Sequence, residues 1–302
     1  MTQAPTFVSL STIPPRFDAL GPTLRSILSQ DLAVREIRLY IPEQYRRFPQ
    51  WDGRLPEVPE GVTIHRAATD WGPATKILPA MRDLDGQDVD ILFCDDDKIY
   101  DASWHTRFKQ ARADLPNACI VEVGENFPDI SDSARPKDRL PRARRWPKDW
   151  RYRLTRIFSL GTIKPNVYRF GGYVDQLSGY GGVMVRPGWL DAAAYDIPEI
   201  LWTVDDPWIS GHLERAGIPI WLIGGPRRQT KGSAGGRRHA LQDLTEQDHD
   251  RVRADLAAIG YFRETYGIWQ PSGPVDQDYR LMTSSMRALA RQTLETGKEK
   301  TA

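Results

Sequence analysis

The stretch Ile91-Leu92-Phe93-Cys94-Asp95-Asp96-Asp97 constrains the fold more than any other in the chain. Four apolar residues run directly into three carboxylates. A short, uninterrupted apolar run suits a strand buried on both faces, as in parallel α/β sheets. The acids then fall at the strand's carboxyl end, the edge where open α/β sheets bind ligands. Adjacent carboxylates repel, so folding alone gives little reason to collect three. A hard divalent cation, Mg2+ or Mn2+, supplies one, because it takes oxygen ligands and is commonly shared with substrate phosphates. In extended chain Asp95 and Asp97 point one way and Asp96 the other, so one or two carboxylates could hold metal while another meets a ribose. The competing reading is a solvated turn or the cap of a following helix.

The flanking segments repeat a strand–helix rhythm. Phe7 to Ser11 reads as a first strand, followed by a proline-stiffened loop, STIPPRF, and a helix over Leu20 to Leu28. Ile37 to Ile41 and Val62 to Ala67 read as the next strands, with an irregular excursion over Gln44 to Glu60. This order predicts an α/β fold with a mostly parallel central sheet flanked by helices. In the segment DWGPATKILPAM, Asp70 and Gly72 form a turn and Pro73 opens a helix. Lys76 then lies in the first turn, near the positive end of the helix, where it suits a diphosphate. An ordinary capped helix with an exposed lysine explains the same residues. A helix over Trp104 to Leu115 and a strand over Ala118 to Val123 follow.

Arg135 to Arg156 breaks the rhythm with ten Lys/Arg against Asp138 and Asp149, a local net charge of about +8, interleaved with Trp146, Trp150 and Tyr152. Its readings are a lid over an anionic substrate, a patch for an acidic or lipid-linked acceptor, a nucleic-acid surface, or a solvated loop. No nucleic-acid partner is expected, because the whole chain carries a net charge of only +1.

Val174 to Val185 carries a glycine-rich turn into a short apolar strand. It does not open a helix, so no dinucleotide fingerprint is assigned. In TVDDPW, Pro207 suits the first helical position, which puts Asp206 at the cap. The pair Asp205-Asp206 is either a cap or a positioned base with its neighbour. Gly224 to His239, with Lys231, Arg237, Arg238 and His239, is basic and glycine-rich and suits wrapping a diphosphate. Helices are expected over Thr245 to Tyr266 and Val275 to Leu294, the second appended to the domain.

Two cysteines make no disulfide framework. The N-terminus shows no basic start with an apolar core, and no apolar run approaches the ~20 residues needed to span a bilayer. A cytoplasmic location is expected, with peripheral contact at a membrane face through 135–156.

Taken together, these segments resemble the GT-A family of nucleotide-sugar glycosyltransferases over roughly Phe7 to Tyr266. The resemblance rests on the first strand with its Thr/Pro loop, DWGPATK, the apolar strand ending in DDD, the glycine-rich turn, and DDPW opening a helix. It implies a GT-A-like domain over 1–270, with a nucleotide-binding half at 1–125, a basic loop at 126–156, an acceptor and catalytic half at 157–270, and a helical tail at 271–302. It implies metal-dependent transfer of a sugar from a nucleoside diphosphate sugar, UDP favoured, to an acceptor hydroxyl, with inversion. Asp95 and Asp97 then hold Mn2+ or Mg2+, joined by His239. Asp96 meets the ribose, Thr12 and Arg16 wall the base, and Asp70, Lys76 and Lys231 contact the nucleotide. Asp206 resembles the catalytic base, with Asp205 the alternative. The alternatives are a GT-A-like protein that binds nucleotide without catalysis, and a sugar-phosphate nucleotidyltransferase. The latter lacks its usual support, since no glycine follows the first strand in STIPPRF.

Overall fold

The computed structural model describes residues 4–146, 149–158, 168–225, 231–232, 251–273 and 281–299. An eight-stranded sheet forms its centre. The strands are β1 (Thr6–Ser11), β2 (Glu36–Pro42), β3 (Val62–Ala67), β4 (Asp90–Phe93), β6 (Cys119–Val121), β8 (Gly172–Val174), β10 (Val183–Val185) and β11 (Ile220–Leu222). The short strands β5 (Lys98–Ile99), β7 (Gly124–Glu125), β9 (Gln176–Leu177) and β12 (Lys231–Gly232) pair off outside it. The order across the sheet is β3-β2-β1-β4-β10-β6-β11-β8. Only β10 and β8 run against the other six strands. The α/β, mostly parallel sheet expected from the sequence is the one observed.

Alternation within each strand builds a core on both faces. Ile91 and Phe93 of β4 join one apolar layer with Phe7, Val121 and Trp208. Leu92 and Cys94 join the other with Leu10, Ile120 and Trp104. This is why the apolar run before the acids is unbroken: with both faces covered, every second position is core from one side or the other. Helices α1 (Gly21–Leu28) and α3 (Trp104–Asp114) contribute to the second layer, and α2 (Leu78–Asp83), α5 (Asp206–Arg215) and α6 (Arg251–Tyr266) to the first. Helix α4 (Trp150–Phe158) lies between them in sequence, before β8.

Several boundaries depart from expectation. The DWGPATK segment is a 3-10 turn over Gly72–Lys76, and the α-helix begins only at Leu78. Gly72 adopts φ +58°, a conformation open to glycine, and donates its N–H to Asp70 Oδ1 at 2.8 Å. Lys76 therefore ends a turn instead of lying at a helix N-terminus. The last helix, α7 (Ser284–Glu299), starts later than Val275, and Thr283 Oγ1 accepts the Met286 N–H at 3.4 Å at its first turn. It packs back on α6: Met286 and Leu289 enter the core, and Ser285 Oγ donates to Asp255 at 2.6 Å.

The basic segment is also corrected. Much of its charge is spent inside the fold and is not presented as a uniform cationic face. Arg135 and Arg142 share Asp175, Arg145 pairs with Glu125 and Tyr168, and Arg144 reaches Asp132 at 2.5 Å. The partners lie mostly outside the segment, so a local count could not include them.

Candidate functional site

The parallel strands all end on one edge of the sheet, and the loops leaving them line a cavity of about 350 Å³. Thr12 and Arg16 follow β1, Tyr45 follows β2, Asp70 and Lys76 follow β3, and Asp95 to Lys98 follow β4. Strand β10 runs the opposite way, so its beginning lies here: Val183 pairs with Phe93. This brings the glycine-rich turn Gly179–Gly181 to the same edge. Helix α5 joins through Asp206, whose Oδ1 accepts the Gly179 N–H at 2.8 Å.

Each of the three adjacent acids has its own cationic partner. Lys76 Nζ lies 2.7 Å from Asp95 Oδ1, Arg16 Nη1 lies 2.6 Å from Asp96 Oδ1, and Lys98 pairs with Asp97 Oδ1. Thr12 Oγ1 completes the Asp96 pairing at 2.6 Å on Oδ2. Asp96 is thus buried against the β1 loop, whereas the Asp95 side chain is 31 % exposed toward the cleft. Burial pushes the Asp96 carboxyl up, with Asp97 and Asp95 adding to the rise and Arg16 and Thr12 opposing it. Burial acts the same way on Asp95, but Lys76, with Lys98 and Arg251, outweighs it and leaves that carboxyl below its ordinary value.

Lys76 is the hub. Its ammonium also lies 2.8 Å from Asp205 Oδ2, and Ser9 Oγ holds its backbone carbonyl at 2.6 Å. Burial alone would lower its pKa, yet Asp205, Asp95 and Asp206 together raise it well above the usual lysine value. The exposed-lysine alternative is excluded, because Lys76 is buried.

Asp205 occupies the cap position of α5 and Asp206 the first helical position, one place later than expected, with Pro207 second. Asp205 makes no side-chain capping bond. Asp205 turns to Lys76, and Asp206 to Gly179 and, at 3.7 Å, to Arg251. Burial pushes the Asp206 carboxyl up to about 7, Asp205 adds to the rise, and Lys76 and Arg251 oppose it. Asp70 lines the cavity but spends both oxygens on backbone, accepting from Arg46 N and Gly72 N at 2.8 Å each.

The cavity therefore gathers Thr12, Arg16, Asp70, Lys76, Asp95, Asp96, Asp205 and Asp206. The backbone of Lys231 pairs with Ile99, two residues beyond the acidic turn, through β12 and β5. His239 lies outside the described residues. Tyr45, Trp202 and Arg251 line the cavity without having been singled out. No local pattern marks them: Tyr45 sits in an irregular excursion, and Arg251 opens a helix whose facing residues come from distant chain. Gly179 did carry a signal, the glycine-rich turn, although its N–H meets a carboxylate of the protein itself.

Carboxylate oxygens such as those of Asp95 and Asp97 are the kind of donor Mg2+ or Mn2+ takes, with few protein carboxylates and shared phosphates. Both meet lysines through Oδ1, and Asp95 lines the cavity whereas Asp97 is not among its lining residues. Among the described residues, no three His, Cys, Asp or Glu side chains form a ready metal cage.

No family model matches the chain. No curated protein matches it either. Among solved structures, it is similar to GalNAc-T7 with UDP, GalNAc and Mn2+, at 10% identity and a TM-score of 0.49, over 97% of this chain and 55% of that one. The chain thus spans little more than half of that protein. It is also similar to S. aureus TarS 1-349, at 11% identity and a TM-score of 0.41, over 87% of this chain and 72% of that one. The UDP complex of TarS aligns at 13% identity and a TM-score of 0.38, over 72% and 57% of the two chains.

Proposed function

We propose that the protein is a glycosyltransferase that moves a sugar from a nucleoside diphosphate sugar, with UDP the favoured nucleotide, to an acceptor hydroxyl with inversion. The observation that carries this reading is one cleft holding two differently tuned carboxylate groups bridged by Lys76: the acidic turn after β4 and the Asp205-Asp206 pair opening α5.

The roles follow from the environments. The β1 loop, with Thr12 and Arg16, and Tyr45 wall the side of the cleft where a nucleoside fits. Lys76 and Lys98 supply positive charge beside the acids, where a leaving diphosphate gathers negative charge. A cation held by Asp95 and Asp97 would neutralise that same charge when bound. Asp206, raised to about 7, suits a general base at neutral pH, since it can both release and accept a proton there. Its Gly179 contact fixes the orientation of Oδ1, and Oδ2, 3.7 Å from Arg251, is the oxygen that would take the proton of an incoming hydroxyl. The trio Lys76, Asp95 and Asp205 ties the donor side of the cleft to the base side.

Calorimetric titration of UDP, GDP and CDP, with Mn2+ and with EDTA, tests the donor half on the wild type and on Asp97→Ala. Metal-dependent binding of one nucleotide, lost in the variant, is expected. Metal-independent binding would leave the donor site standing and remove the cation. No binding would remove the reading.

A further inference from the structure

One side of Asp206 is set by α6. While the Gly179 N–H holds Oδ1, Oδ2 lies 3.7 Å from Arg251 Nη2, and Arg251 lines the cavity. That distance is too long for a hydrogen bond, so charge links the pair and the contact leaves the lone pairs of Oδ2 in place. Packing fixes the arrangement. Contacts between α5 and α6 ascend together along the two helices: Asp206 meets Arg251, Trp208 packs on Phe262 at 5.4 Å between ring centres, and Arg215 lies over Tyr266. A Cβ on Gly211 would sit 2.3 Å from the buried Phe262 ring, so α5 takes that ring against bare backbone.

A second carboxylate stands behind the guanidinium. Asp255 follows Arg251 by one turn on the same face of α6, and it is buried. Ser285 Oγ, in the first turn of α7, donates to Asp255 Oδ2 at 2.6 Å. Folding alone gives a poor reason for an acid there, because Glu125 is a buried carboxylate nearby. Burial pushes the Glu125 carboxyl up to about 7, with Arg145 opposing the rise and Asp255 adding to it. Arg251 supplies the compensating charge. Burial alone would lower its pKa, yet Asp206, Asp255, Asp205 and Asp95 raise it above the ordinary value.

We infer that Arg251 is a positioning residue for Asp206, anchored by Asp255 and, through Ser285, by helix α7. The helical tail thereby completes the base side of the cleft. The inference rests on the reading of Asp206 as the base. The charged groups facing Asp206 are Asp205 on its own helix, Lys76 from the turn after β3, and Arg251 from α6. Those facing Asp255 are Arg251 and Glu125. Against the repulsion of Asp205, Arg251 favours the charged carboxylate and so keeps the base able to accept a proton near neutral pH.

The test is carbon-13 NMR titration of the aspartate carboxyls in the full chain, the Asp206 signal being assigned by its loss in Asp206→Asn. Arg251→Gln should move the Asp206 midpoint up by at least about half a pH unit, whereas Arg251→Lys, which keeps the charge, should hold it near the wild-type value. Asp255→Asn should also raise the midpoint, but not in the Arg251→Gln background, since it acts through the arginine. Ser285→Ala, which keeps the Asp255 charge and removes the tie to α7, should shift it the same way by less, and thermal melting shows that each variant folds. An unmoved midpoint in Arg251→Gln would overturn the inference. So would equal shifts in the lysine and glutamine variants, or an Asp255→Asn shift that survives in the double variant. Calorimetry of UDP with Mn2+ reads the transferase proposal separately: absence of UDP binding would remove that reading, while the carboxyl titration alone decides the role of Arg251.

Discussion

The Lys76 ammonium lies 2.8 Å from the Asp205 carboxylate, and the two residues come from segments far apart in the chain, one following β3 and one opening α5. Removing that ammonium strands Asp205, together with Asp95. Lys76→Met is expected to cost about 3 kcal/mol of stability, the lower end for a broken buried pair because Asp95 is partly exposed. Denaturant unfolding measures the loss. A change under about 0.5 kcal/mol would mean that water, not the lysine, satisfies the carboxylates.

Asp206→Asn keeps the shape of the side chain and its contact with the Gly179 N–H but cannot accept a proton as a base. Nucleotide binding by calorimetry should stay within about twofold, while transfer to acceptor falls by roughly 10²–10⁴. Equal loss of binding and turnover would make Asp206 a structural residue and shift the base role to Asp205.

The raised Asp206 carboxyl predicts a pH dependence of stability. Its pKa in the folded protein is about 7 against 3.8 as reference, so the folded state holds this proton more tightly than the unfolded state does. Stability from this group is complete below pH 3.8, declines as pH rises toward 7, and is flat above it. The wild type should therefore lose roughly 2–4 kcal/mol relative to Asp206→Asn across that interval. Parallel stability curves for the two proteins would contradict the burial argument. In turnover the same ionisation should appear as a rise through about pH 7.

Gly179 has no room for a side chain. A Cβ there would sit 2.6 Å from Lys76 Nζ and 3.3 Å from Asp206 Oδ1. Gly179→Ala should push the lysine from its carboxylates, costing about 1–3 kcal/mol and reducing transfer more than nucleotide binding. Gly217→Ala, in open space but at φ +72°, separates backbone strain from crowding: it should lower stability without touching the ratio of the two activities.

Arg16→Ala removes the 2.6 Å partner of buried Asp96 at the wall of the cleft. Nucleotide affinity should fall by roughly tenfold, read by calorimetry, with Thr12→Val producing a smaller loss because Arg16 still orients the carboxylate. Unchanged affinity in both would move the nucleoside away from the β1 loop.

The strand–acid stretch, the early βαβ rhythm and the carboxylate pair before α5 were legible because each signal is local: an apolar run, a period, a proline after acids. The +8 segment shows the opposite case. Its arginines look free in sequence, yet Arg135 and Arg142 converge on Asp175, far along the chain. The helix dipole that the sequence suggests at Lys76 is absent, because Lys76 ends a 3-10 turn and the α-helix begins at Leu78. Lys76 faces the cleft because Ser9 and three carboxylates, Asp95 after β4 and Asp205 and Asp206 at the start of α5, close around it.

The sequence by itself determined the sheet, through the alternation of Ile91, Leu92 and Phe93 between two cores, and the edge at which acids would gather, through their place after that strand. Tertiary structure alone decided what those acids are. The same residue type is held below its usual pKa at Asp95 and raised at Asp96 and Asp206, because burial and the sign of neighbouring charge set the cost of ionisation, and both depend on chain that is close only after folding.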